Sequence, residues 1–154
     1  MERTLVLLKP DAVHRGLIGE ILARFEAKGL KLVGLKMRSF PEELIRQHYA
    51  VHKERPFYEN LVGFMTSGPV VALAIEGKDA IEVCRRVIGA TDSSKADPGT
   101  IRGDLGMSFS NNLVHGSDGP ESARTELDLF FPEAEEICEW TPVEDAWVYG
   151  SEER

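Results

Sequence analysis

The sequence predicts an α/β chain of the α+β kind, a four-stranded antiparallel sheet covered by helices, and three observations carry that reading. Apolar segments of strand length recur at Leu5–Leu8, Val33–Met37 and Val70–Ile75. Between them lie segments whose apolar residues repeat with a helical period. No internal repeat, low-complexity tract or linker divides the chain, so residues 1–154 are expected to form one domain with a substantial core.

Leu5-Val6-Leu7-Leu8 is a continuous apolar run that stops at Lys9-Pro10, the pattern of a central strand. Ile18, Ile21, Leu22 and Phe25 recur at i, i+3, i+4 and i+7, and Gly29 supplies the stop of a helix. Val33, Leu35 and Met37 alternate with smaller or charged residues and predict a second strand. After Pro41 a charged, helix-compatible segment contains Tyr49, and a further helical segment follows Pro56. Gly68-Pro69 breaks the chain before the third strand at Val70–Ile75. Ala80, Val83, Cys84, Val87 and Ile88 make the next amphipathic helix.

From Gly89 to Asn112 the periodicity is lost and Gly, Ser, Asp, Thr and Pro collect, which reads as one long loop of the kind that carries function. Leu113-Val114 is a short last strand leading into a turn at His115. Ser117 or Asp118 is expected to cap the closing helix, with Pro120 in its first turn and Ala123, Leu127, Phe130 and Phe131 as its buried stripe. Leaving aside the helical insert, the order is βαββαβ, the ferredoxin-like pattern, with a long active-site loop.

Composition narrows the function. Hydrophobic residues make up 42% and charged residues 29%, as in ordinary globular proteins. No apolar run approaches the ~20 residues of a membrane span, and the N-terminus already reads as a strand, leaving no room for a signal peptide. Cys84 and Cys138 are too few and too isolated for a disulfide framework or a zinc site, so a cytoplasmic location is expected. The net charge of −8 is uneven: Pro120–Arg154 holds eleven acids against Arg124 and Arg154. The remainder is close to neutral and free to hold a local cationic site. The acidic balance disfavours broad nucleic-acid binding.

Four histidines are candidates for chemistry. His48 and His52 are spaced i, i+4, but no carboxylate or cysteine is placed to complete a metal site, and a solvated helix face is the better reading. His14 lies among turn residues without a companion. His115 stands in Asn112–Pro120, flanked by amide, hydroxyl and carboxylate groups. Imidazole, with an ordinary pKa near ~6.5, is an effective nitrogen nucleophile at neutral pH. A lone histidine in a turn is more often an ordinary polar residue, so its surroundings must decide.

Glu126 flanks the apolar stripe of the closing helix, where carboxylates rarely sit unpaired. It could fix the imidazole tautomer; the competing reading is a border ion pair. The sequence has neither a G-x-x-x-x-G-K-[ST] loop nor a G-x-G-x-x-G fingerprint. Instead Lys9, Arg85, Thr91 and Arg102 fall at element ends or in the long loop. Singly each reads as a surface residue; with a nucleophilic histidine they point to phosphoryl transfer.

Seven ordered blocks carry a resemblance: Lys9–Asp11, Arg15–Glu20, His48-Tyr49, Arg55–Phe57, Thr66–Val71, Pro98–Asp104 and Asn112–Asp118. Together they make the chain similar to the nucleoside diphosphate kinase family over nearly its whole length. The resemblance implies transfer of the terminal phosphate of a nucleoside triphosphate to a nucleoside diphosphate. The route is ping-pong through a phosphohistidine, with Mg²⁺ as cofactor and broad base specificity.

His115 resembles the phosphorylated histidine, and Glu126 and Ser117 the groups that orient it. Lys9, Tyr49 and Asn112 match positions near the transferred phosphate and sugar, and Arg85, Thr91 and Arg102 the phosphate-holding positions. Phe57 matches the base platform, and Asp118 the acid near Mg²⁺. Family members are hexamers or tetramers, and the tail with Trp140, Trp147, Val148 and Tyr149 is similar to the hexameric forms. Thr91–Asp97 departs from the family's common Asn-Pro-Ala stretch but removes no site position. Two readings compete: a non-catalytic nucleic-acid or protein binder on the same fold, which predicts a damaged site, and a histidine phosphocarrier, which leaves Phe57 and the arginines unexplained.

Overall fold

The strand that the apolar run predicts is the middle of the sheet. In the computed structural model, which describes residues 1–154, β1 (Glu2–Leu8) lies between β3 (Val70–Gly77) and β4 (Val114–Gly116). β2 (Lys31–Arg38) forms the far edge, and the order is β2-β3-β1-β4 with every pairing antiparallel. This is the expected ferredoxin-like arrangement. Alternate residues of a strand face opposite ways, so β1 feeds two cores. Val6 and Leu8 pack with Ile21, Phe25, Leu73 and Ile88 on one face. Leu5 and Leu7 pack with Ile45, Val62, Met65 and Phe130 on the other. Burial on both faces is why the run is continuous rather than alternating.

The helices α2 (Ile18–Ala27) and α5 (Ala80–Ile88) cover the first face, while α3 (Glu42–His48), α4 (Tyr58–Met65) and α7 (Pro120–Phe130) cover the second. Two five-residue helices are additional to the sequence reading. They are α1 (Pro10–His14), which opens on proline at its first position, and α6 (Ile101–Leu105), whose Thr100 hydroxyl accepts from the Gly103 amide at 2.9 Å. The segment expected to be one structureless loop therefore contains α6 and a 3-10 turn at Ser93–Lys95. In the atypical Thr91–Asp97 stretch, Asp92 caps that turn by accepting from the amide and hydroxyl of Ser94.

The second strand forms as expected: Val33 is buried, and beyond a bulge between Leu32 and Gly34 the outer residues Leu35 and Met37 of this edge strand are 57% and 55% exposed. Two local expectations are corrected. His115 lies inside β4 opposite Leu7, not in a turn. The closing helix is capped by Gly119, whose amide donates to Ser122, while Asp118 accepts from the Ser122 hydroxyl, so neither Ser117 nor Asp118 is the cap residue. A short α8 (Asp145–Val148) ends the chain, and Trp140 ties the tail to β2 through Leu32.

Candidate active site

The cleft lies where β1 ends and β4 begins, and its floor holds the buried cations Lys9 and Arg102, with Arg85 exposed at its side. Lys9 follows the last residue of β1; its amide donates to the Leu113 carbonyl at 2.8 Å and its Nζ to Asn112 Oδ1 at 2.8 Å. The Asn112 side-chain amide donates in turn to the Thr91 carbonyl at 3.1 Å. Arg102, on α6, donates to the carbonyls of Asn112, Gly89 and Val114. Arg85, on α5, donates to the Gly116 carbonyl at 3.2 Å.

None of these cations is in an ion pair, and the Asp11 charge only partly offsets the burial of Lys9. Burial, reinforced by the nearby Arg102 charge, pulls the Lys9 ammonium down to about 8. Burial and the Arg85 charge pull Arg102 down to about 10. Such a floor favours an anion.

Between Asn112 and Val114 the backbone doubles back. Leu113 has φ +72°, and the Val114 amide donates to the Asn112 carbonyl across it, the signature of a strained γ-turn. A buried leucine held in this region is a conformation the surroundings must enforce. They do so through Asp11, whose carboxylate accepts from the Leu113 amide at 3.1 Å, and through Arg102, which grips carbonyls on both sides of the turn.

His115 emerges next. Its Nε2 is 2.9 Å from both oxygens of Glu126, on α7, and Ser117 donates to Glu126 Oε1 at 2.9 Å. A carboxylate only accepts, so Nε2 carries the proton and Nδ1 the lone pair, with no protein partner. Glu126 itself is buried.

Nine of the sequence-nominated residues line one cleft of about 910 Å³: Lys9, Tyr49, Arg85, Thr91, Arg102, Asn112, His115, Asp118 and Glu126. Ser117 is buried behind it. Phe57 is not in the lining; it stands outside the mouth, 47% exposed, with its ring 5.3 Å from that of His52. Tyr49 follows the last residue of α3, and its buried hydroxyl has no hydrogen-bond partner. Burial, with the Glu126 charge, raises its pKa well above that of an ordinary phenol.

His48 is the residue that sequence reasoning misplaced. The helix ends there, a 3-10 turn at Ala50–His52 follows, and the two histidines do not share a solvated face. The His48 side chain is 2% exposed and its ring meets that of His115 edge-on at 4.7 Å. Neither of its nitrogens is hydrogen-bonded. Burial, followed by the His115, Lys9 and His52 charges, holds it well below the ordinary imidazole range, so it is neutral. The usable signal was its direct attachment to Tyr49. Asp11 was also missed as a site residue, since nothing in its spacing reveals an amide a hundred residues away.

The chain was compared with known proteins. The family model described as Nucleoside diphosphate kinase matches residues 2–136. A nucleoside diphosphate kinase of Picosynechococcus sp. is 56% identical over 97% of this chain and 99% of its own length. One from Archaeoglobus fulgidus is 51% identical over 97% of this chain and 98% of its own. Among solved structures, a nucleoside diphosphate kinase from Halobacterium salinarum in complex with CDP superposes with a TM-score of 0.93 at 50% identity, covering 96% of this chain and 98% of that one. A family protein from Babesia bovis has the same TM-score at 43% identity, covering 97% of this chain and all of that one.

Proposed function

The chain belongs to the nucleoside diphosphate kinase family and is a phosphotransferase acting between nucleoside triphosphates and diphosphates; on that premise we propose that His115 Nδ1 carries the phosphoryl group. The observation that supports this is the pairing of Nε2 with Glu126, which leaves Nδ1 as the free lone pair beside a cationic floor.

In the first half-reaction Nδ1 attacks the terminal phosphorus, a P–N bond forms, and the bridging P–O bond breaks with its electrons going to the departing diphosphate. Because Nδ1 carries no proton, none has to leave before attack. The reverse step on a second diphosphate restores the neutral ring. Ser117 and Glu126 orient the imidazole and stabilise positive charge on it. Lys9, Arg85, Arg102 and Thr91 hold the phosphate oxygens, while Asn112 and Tyr49 position the transferred group and sugar. Such chemistry is carried by positioning and charge neutralisation, and positioning alone can supply roughly 7–11 kcal/mol.

Asp118 presents an exposed carboxylate at the cleft rim, beside the phosphate floor. Mg²⁺ is commonly held by one or two carboxylates together with substrate phosphates, so the donor set fits. Asp118 would hold the ion, which supplies charge neutralisation on the phosphate oxygens when bound. Phe57, open at the mouth, would stack with any base face, which supports broad specificity. That the Halobacterium protein was solved with CDP agrees with a pyrimidine being accepted.

We further assign a single cytoplasmic domain that assembles as a homohexamer, with the tetramer as the other arrangement. The outer end of β2 with exposed Leu35 and Met37, beyond the part where Cys138 and Trp140 donate to the Val33 and Leu32 carbonyls, and Trp147, exposed to 90%, offer surfaces for subunit contacts. No helix is long and apolar enough to cross a membrane.

The test is incubation with γ-labelled ATP and Mg²⁺ followed by a GDP chase. An acid-labile label that the chase moves to GTP is expected from the wild type and none from His115→Ala. Full labelling of that variant would overturn the assignment.

A further inference from the structure

His48 is a buried side chain with two unused donor atoms, and that is costly. A buried polar group left without a partner costs about 1–3 kcal/mol, yet both of its nitrogens are orphaned. They are not isolated from other ligand atoms. One atom each from His48, His115 and Glu126 lie within 4.8 Å of one another. The Glu126 carboxylate is 2.9 Å from His115 Nε2 and 3.8 Å from His48 Nδ1, too far for a hydrogen bond to the latter.

Two imidazoles and one carboxylate form a donor set for a borderline transition-metal cation rather than for Mg²⁺, which prefers oxygens in an octahedral shell. In a tetrahedral Zn²⁺ shell with ligand bonds of about 2.0–2.1 Å, neighbouring ligand atoms stand roughly 3.4 Å apart. The separations in the structure straddle that value, so closure needs side-chain movements of about an ångström.

We propose that His48, His115 and Glu126 form an inhibitory Zn²⁺ site at the back of the catalytic cleft, separate from the Mg²⁺ position at Asp118. Coordination takes the His115 Nε2 lone pair, so the ring's single proton passes from Nε2 through solvent to Nδ1 and the ring stays neutral. Nδ1, now an N–H, has no lone pair with which to attack phosphorus. Glu126 is at the same time withdrawn from stabilising the positive imidazole of the transfer step. A cleft-lining fourth position remains for water, the usual arrangement when the protein supplies three ligands. The inhibitory consequence rests on His115 being the nucleophile; the binding site does not.

The experiment titrates Zn²⁺ into the full-length, nucleotide-free protein by calorimetry and records the visible spectrum with Co²⁺ as a substitute. One metal ion per chain and the absorption of a four-coordinate Co²⁺ site are expected. His48→Phe keeps a ring beside Tyr49 and Phe130 and breaks no hydrogen bond, and His48→Gln serves if the phenylalanine variant fails to fold. Each is expected to weaken Zn²⁺ binding at least roughly 100-fold, since even groups that merely support a ligand cost 10–100-fold. Binding that is unchanged in the His48 variants overturns the proposal. If His48 governs Zn²⁺ binding but His115→Ala still takes up labelled phosphate, the site stands and the nucleophile assignment fails.

Discussion

The two walls of the cleft are built on opposite principles. The phosphate wall, made of Lys9, Arg102, Asn112 and the γ-turn at Leu113, is buried and tied to backbone at almost every donor. The wall from His48 to Phe57 is a helix end and a 3-10 turn, with an unpartnered tyrosine hydroxyl, an unpartnered histidine and an aromatic ring half in solvent. On the proposed reading the first wall grips what all nucleotides share, and the second meets the part in which they differ and commits to none of it. Rigidity would then lie where the chemistry is common, and looseness would allow many bases.

Removing a rigid-wall cation tests that contrast most severely. Arg102→Ala is expected to lower kcat by about 10²–10³-fold, as loss of a preorganised charge-stabilising donor does. Its fold must be checked by circular dichroism, because the guanidinium also clamps the γ-turn. A loss confined to KM would show that the wall binds without preorganising. On the loose side, Phe57→Ala is expected to raise KM roughly tenfold for purine and pyrimidine diphosphates alike, in line with about 1–3 kcal/mol per stacked base. Steady-state kinetics with GDP and CDP reads it, and a change in only one would mean that the platform discriminates.

A third test concerns stability rather than turnover, and the cost of the rigid wall. Lys9 has its pKa lowered from 10.5 to about 8 by burial and the Arg102 charge. Between those values the unfolded chain binds the proton that the folded one has lost, so this residue makes stability rise with pH across that window. Urea unfolding should show the wild type gaining about 3 kcal/mol relative to Lys9→Met as pH rises from neutral to 10.5. Parallel pH profiles would mean that the ammonium is not strained in the empty site.

The same contrast explains what the sequence could reveal. β1, α2, α5 and α7 are legible because burial leaves a run or a period long enough to read. The helices α1 and α6 span five residues each, too few for a period, and β4 only three, so His115 read as a turn residue. The cations of the rigid wall could be nominated by residue type and family pattern. Their buried state arises from Arg102 meeting carbonyls on two separate stretches of chain, at Gly89 and at Asn112 and Val114, which no local window records. His48 was misread for a related reason: its i, i+4 spacing to His52 assumes one continuous helix, and the helix stops at His48.

One consequence follows from the pairing of His115 with Leu7 in the middle strand of the sheet. In the proposed cycle a phosphoryl group on that ring would be anchored to the part of the molecule with core on both faces. A spent nucleotide can depart and a fresh one arrive past the looser wall while the group between them keeps its place. The protein is a relay in which the baton stands still and only the runners change.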